Sequence, residues 1–419
     1  MIKKIISLGL SSIMMLTLCA CGKANTKSQS EQVSIRFSWW GTESRYDKTI
    51  AAIKLFEEKN PNIKVKAEFG EWTGFKKKMN MKIAGNDEPD LMQINYDWLE
   101  NYSKDGKGFY DLNKVSDTLK LENFSKEVLA YGTKNNILNA IPIATNAKIL
   151  YYNKNVSNGF IENKYNTWDD LIASGSKANG DKYPLDLDSF NAWGLGMAYV
   201  QEKTGKNFIN EDGSLGFTQG DIQELLTFYK KLIDSKVVPA TTHKDDNSNF
   251  NNGKAGTTIS WSTDAQKMQS GTEKIKGDLF SGAFPSTVGG NAISYVKPAM
   301  LYTISKNTEH PKEAAMLMDF MLNDEAAAKI LGIDRGIPTS TTSYKTLEES
   351  NVLTGLQYES SKKEEKAKET LISPYYENTL IKNECETAIE EITYNKSTPE
   401  QCAVNTYNNL LKTLESITK

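Results

Sequence analysis

The stretch Val33-Ser34-Ile35-Arg36-Phe37-Ser38-Trp39-Trp40 alternates apolar and polar side chains and then breaks phase on a second tryptophan. A period of two puts Val33, Ile35, Phe37 and Trp39 on one side of an extended chain, so the stretch reads as a β-strand with one face on a core. Gly41 ends it. Over 46–60 the period lengthens: Ile50, Ile53, Leu55 and Phe56 form a broad apolar side, which predicts a helix stopping before Pro61. Ile63, Val65, Ala67 and Phe69 then alternate with Asn62, Lys64, Lys66 and Glu68 as a second strand. A helix over Trp72–Ala84 and a short strand at 90–94 complete a β-α-β-α-β unit. Such a unit implies a mostly parallel sheet with right-handed crossovers, and open sheets of this kind bind ligands beyond the carboxyl ends of their strands. Trp39-Trp40, Glu71-Trp72 and residues 93–97 all fall at those ends. Gly41 and Gly70 stand alone there, without a phosphate-cradling glycine pattern, so the sequence gives no support for nucleotide binding.

What precedes the strand reads as an export signal. Met1-Ile2-Lys3-Lys4 is basic, residues 5–18 are largely apolar, and the run is too short for a membrane span. It closes on Leu18-Cys19-Ala20-Cys21-Gly22, which resembles a bacterial lipobox. On that reading 1–20 is a signal peptide, Cys21 carries the lipid, and 21–32 is a lipidated flexible tether. Only Cys385 and Cys402 then remain, on either side of Pro399, and both a disulfide across a helical hairpin and two separate buried thiols fit. The remaining chain, of nearly four hundred residues, suggests two domains. A formal net charge of −3 offers no basic field for nucleic acid, and Lys76-Lys77-Lys78 reads as a solvated helix face. His243 and His310 are the only histidines and lie far apart, so neither a histidine metal site nor a Ser-His-Asp triad is supported.

Farther along, 141–152 reads as a strand, and Thr167 caps a helix with Asp169 and Asp170 in its first turn. Trp168 there reads as packing. Residues 250–256 form a turn, followed by a strand from Thr257 that ends on Trp261. A strand over 299–304 precedes one helix over 311–328, and the rest reads as helical apart from turns near Pro374 and Pro399.

The ordered series SWWGTESR (38–45), FEEKNPNIKV (56–65), PDLMQ (89–93), IPIATNAKILYYNK (141–154), TWDDL (167–171), NNGKAGTTISW (251–261), HPKEAAMLMDFMLN (310–323) and RGIPTS (335–340) resembles the solute-binding proteins of bacterial ABC importers. Within them it is similar to the sugar-binding group that includes maltodextrin-binding protein. The resemblance implies a two-lobed α/β clamp, each lobe a mostly parallel sheet flanked by helices. The chain would cross between lobes near 142–146, 297–299 and 338–343, giving 33–143 plus 299–338 as the N-terminal lobe and 144–298 plus 339–419 as the C-terminal lobe. It implies a monomer anchored outside the cytoplasmic membrane that closes on a neutral sugar, with the several tryptophans favouring an oligosaccharide, and passes it to permease subunits. No catalysis, cofactor or metal is implied.

Pyranose rings stack their C–H face on aromatic rings and pair their hydroxyls with planar polar side chains. The resemblance therefore makes Trp40, Trp72 and Trp261 stacking platforms, and Gln93, Asp97, Asn146, Asp264 and Arg335 hydroxyl partners. Trp193 and Tyr375 or Tyr376 are further candidate walls, and Arg335 has the alternative role of holding the hinge. Phe75 stands where the group often carries tyrosine, which removes a hydroxyl. Two other readings compete: a polyol-phosphate binder of the same fold, and a surface glycoside hydrolase drawing its carboxylates from Glu71, Asp97, Asp188 and Asp264.

Overall fold

Ile35, Phe37 and Trp39 are fully buried on β1 (Val33–Trp40). β2 (Ile63–Gly70) runs parallel to it from Val33 opposite Ile63 to Trp40 opposite Gly70, and β3 (Leu91–Ile94) lies parallel on the other side. Helices Glu43–Lys59 and Trp72–Ala84 make the two crossovers. The first starts earlier than its apolar side predicts, because extended Thr42 lets the polar Glu43-Ser44-Arg45 form the opening turn. This is a computed structural model of the chain, and it describes residues 32–243, 247–364 and 367–418. The expected signal peptide, the Cys21 attachment and the tether through residue 31 lie outside the described residues.

Two long strands tie the molecule together: β4 (Ala140–Asn153) and, after β5 (Tyr183–Asp186), β6 (Ala255–Trp261) and β7 (Leu279–Gly282), β8 (Ile293–Ile304). The strand order is β2-β1-β3-β8-β4-β6-β5, with β7 against β4 and β9 (Lys368–Leu371) against β8. β8 pairs with β3 through its carboxyl half, and β4 pairs with β6 through its own, so each long strand serves both lobes. Their mutual register slips between Pro298 and Leu301. Pro298 has no N–H to give the ladder, which suits it to the passage from one lobe to the other.

One core gathers around Phe37, Trp39, Phe56, Trp98 and Leu317, and a second around Tyr152, Trp193, Leu225 and Ile389. The third passage begins where Thr339 N donates to Ile143 O at 3.1 Å. Helix Thr341–Glu349 still packs on the first lobe, with Ser340 Oγ on Asn323 Oδ1 at 2.7 Å and Ser343 Oγ on Leu322 O at 2.6 Å. Two further expectations change. The helix read over 311–328 is two helices, Pro311–Asn323 and Glu325–Leu331, because Asp324 is extended and accepts from the N–H groups of Ala326 and Ala327. The C-terminal region is not all helical, since β9 extends the sheet. Cys385 and Cys402 are separate buried thiols, and burial pushes the Cys402 thiol up to about 12.

Candidate functional site

The segments that follow β2 and β3 face those that follow β5 and β6 across a cleft of about 640 Å³. The first lobe contributes Trp72, from the start of its helix after β2, and Asn95 and Asp97, just past β3. The second contributes Trp261 and Asp264 after β6, Asp188, Phe190 and Asn191 after β5, and Glu377. Trp72 is 42% exposed, which leaves an aromatic face open to the cleft. Asp97 is buried and accepts from Lys76 Nζ at 2.9 Å and Asn95 Nδ2 at 2.7 Å. Asp264 Oδ2 accepts from Ser260 Oγ at 2.5 Å and from the Trp261 N–H at 3.3 Å, fixing the turn that presents the tryptophan. Asp188 caps helix Ser189–Thr204 by accepting from Asn191 N at 2.8 Å.

Trp72, Asp97, Trp261 and Asp264 are thus brought together on the cleft wall, whereas five other sequence-chosen residues are not. Trp40 is 8% exposed and stands behind Trp72, ring centroids 5.0 Å apart, with Phe75 and Trp98 on its other sides. Its out-of-phase position turns it into a second aromatic layer, not into the cleft. Gln93 is fully buried, donating to Trp40 O at 3.3 Å and accepting from Arg335 Nε at 3.0 Å. Arg335 also donates to Thr49 Oγ1 at 2.8 Å, so it ties the 332–338 segment to the first lobe through side-chain acceptors. Asn146 Oδ1 accepts from Ser262 Oγ at 3.0 Å and Thr263 N at 3.1 Å, bracing the Trp261 turn from β4. Trp193 is fully buried edge-on to Phe208 at 5.4 Å, because the cap at Asp188 gives the cleft to Phe190 and Asn191 and turns Trp193 inward. Tyr376 is buried and stacks on Phe190 at 4.5 Å.

Sequence reasoning missed the lysines. Lys76, Lys148, Lys267, Lys297 and Lys382 all line the cleft. Lys297 is buried and ion-paired with Glu377. Burial alone pushes the Glu377 carboxyl up, but Lys297, Lys148 and the Asn95 amide hold it below its ordinary range. A signal was present for Lys297, which interrupts a strand that is otherwise apolar through its middle. Among the described residues no group of three or more His, Cys, Asp or Glu is placed to hold a metal, and no helix is long and apolar enough to cross a membrane.

A deep cleft between two lobes joined by continuous strands, with an aromatic ring from each lobe and fixed polar groups around them, defines a ligand-enclosing clamp. The family profile described as bacterial extracellular solute-binding protein matches residues 40–328, and the chain belongs to that family. It is similar to the multiple sugar-binding protein of Streptococcus mutans, 26% identical over 353 residues that cover 79% of this chain and 81% of the other. Among solved structures, a periplasmic solute-binding protein of Pectobacterium atrosepticum is 31% identical with a TM-score of 0.86, covering 92% of this chain and all of its own. A periplasmic oligogalacturonide-binding protein of Yersinia enterocolitica, solved with saturated digalacturonic acid, is 31% identical with a TM-score of 0.83 and the same coverage.

Proposed function

We propose that this protein captures an oligosaccharide outside the cell, anchored by lipid on Cys21, and delivers it to the permease of an ABC importer without altering it. The observation that carries the reading is the pair Trp72 and Trp261, one from each lobe, lining one cleft whose volume of about 640 Å³ suits more than one pyranose ring. Each ring offers a flat apolar surface to a sugar's C–H face, and Asp97, Asn95, Asn191 and Asp264 supply polar groups around it. The names of the Streptococcus and Yersinia relatives support a sugar ligand. Asp188 and Asp264 are taken up as acceptors for backbone N–H groups, which favours a binding role for them over a catalytic one.

A thermal-shift screen against oligosaccharides tests this. A true ligand at about a hundred times Kd should add roughly 2.7 kcal/mol to stability. No shift with any glycan, beside a clear shift with a polyol phosphate, would replace the substrate class. The anchor is tested separately: Cys21→Ser should move the protein from the membrane fraction to the medium, and unchanged lipid labelling would refute the attachment.

A further inference from the structure

Strands buried on both faces exclude charge unless something compensates it. β4 and β8 are such strands, yet each places an ammonium group in the cleft, and both groups meet one ring. Lys148 Nζ lies 4.5 Å and Lys297 Nζ 4.6 Å from the centroid of the Trp261 ring. Lys297 has a counter-ion in Glu377. Lys148 gives its hydrogen bond to the neutral Asn191 Oδ1 at 2.7 Å, and among the described residues it makes no ion pair. Burial depresses its pKa, against the pull of Asp188, Asp264 and Glu377. Lys267 adds an exposed ammonium at the rim of the same cleft.

We infer that the captured oligosaccharide is acidic, with a sugar carboxylate seated against Lys148 beside Trp261. The inference rests on the sugar-capture reading and refines it. An uncharged pyranose stacking on Trp261 must displace cations already attracted to that ring and offers them only neutral hydroxyl acceptors in return. A uronate displaces them into charge-assisted hydrogen bonds. A single negative charge fits, since one ammonium of the pair is already neutralised by Glu377; a phosphate dianion would crowd Glu377, Asp188 and Asp264. The neutral ligand expected from the tryptophans alone would bring the Lys148 charge no counter-ion.

Isothermal titration of the mature protein decides it, using uronic-acid trisaccharides of galacto, gluco and manno configuration, each beside its methyl ester, with maltotriose, cellotriose and glucose 6-phosphate. One acid should bind at least about tenfold tighter than its ester, and Lys148→Gln should remove most of that gap. Should that variant fold poorly, the native protein still reports: affinity for the acid should fall several-fold between about 20 and about 500 mM NaCl, and affinity for the ester should not. An ester or uncharged trisaccharide binding as tightly as the acids overturns the acidic ligand and leaves sugar capture standing. Preference for the phosphate overturns the carboxylate. If no sugar of either kind binds, the sugar-capture reading falls with it.

Discussion

Trp39 and Trp40 leave β1 on opposite faces. Trp39 is fully buried, 4.9 Å from Phe37 and 6.2 Å from Tyr46 between ring centroids, so Trp39→Ala should cost about 3–5 kcal/mol in urea unfolding. Trp72 is half-exposed and open to the cleft; Trp72→Ala should weaken ligand binding by about tenfold, roughly 1.4 kcal/mol, with little change in unfolding midpoint. Trp40, packed behind it, should do some of both, because its loss removes core contacts and lets Trp72 sag. Titration and unfolding of the three variants separate the cases; unaltered affinity in Trp72→Ala would take that ring out of the site. The phase break between the two tryptophans was legible in the sequence. Its meaning was not, because Trp40 is covered by Phe75 and Trp98, which come from separate helices and meet it only after folding.

At the level of elements, periodicity located the strands of the first β-α-β-α-β unit to within a residue or so, since their apolar residues alternate or run together as the single sheet requires. It failed at 311–328 because apolar spacing continues across a break made by one side chain. Asp324 accepts from the N–H groups of Ala326 at 2.9 Å and Ala327 at 3.0 Å, and from Lys59 Nζ at 2.7 Å. Burial pushes its carboxyl up, but Lys59 and those N–H groups outweigh it and hold the pKa below 3.8. A depressed pKa in the fold means stability that is present above the unfolded value and is lost as pH falls through the folded one. Asp324→Ala should therefore cost about 1 kcal/mol at neutral pH. The difference from the native chain in urea unfolding should shrink below pH 4 or so; a gap that persists into strong acid would show that the carboxylate charge is not what caps the helix. The lysines of β4 and β8 show the complementary failure. A charge inside a largely buried strand was visible, but its target, the Trp261 ring, sits on a different strand more than a hundred residues away from Lys148.

In the whole molecule, the two lobes also touch beside the cleft. Tyr375 Oη, from the second lobe, donates to Glu100 Oε2 of the first at 3.1 Å. The third passage is as tight as the strand pair. Gly336, at φ +107°, sits where a Cβ would come 2.8 Å from Ala144 Cβ and 3.0 Å from Thr263 Cγ2, so only glycine lets the segment pass between the lobes. Closure is then a balance between these contacts and solvent, and a ligand shifts it only by what it gains from touching both lobes at once. Tyr375 does not line the cleft, so Tyr375→Phe removes the bond to Glu100 and leaves the ligand's own contacts in place. The loss of about 1 kcal/mol from the closed state should appear as weaker binding, by a factor of up to about five. By small-angle scattering, the variant without ligand should be more expanded than the native protein, and saturating ligand should bring the two to the same radius of gyration. Equal scattering without ligand, together with equal affinity, would mean that the Glu100 contact plays no part in holding the lobes together.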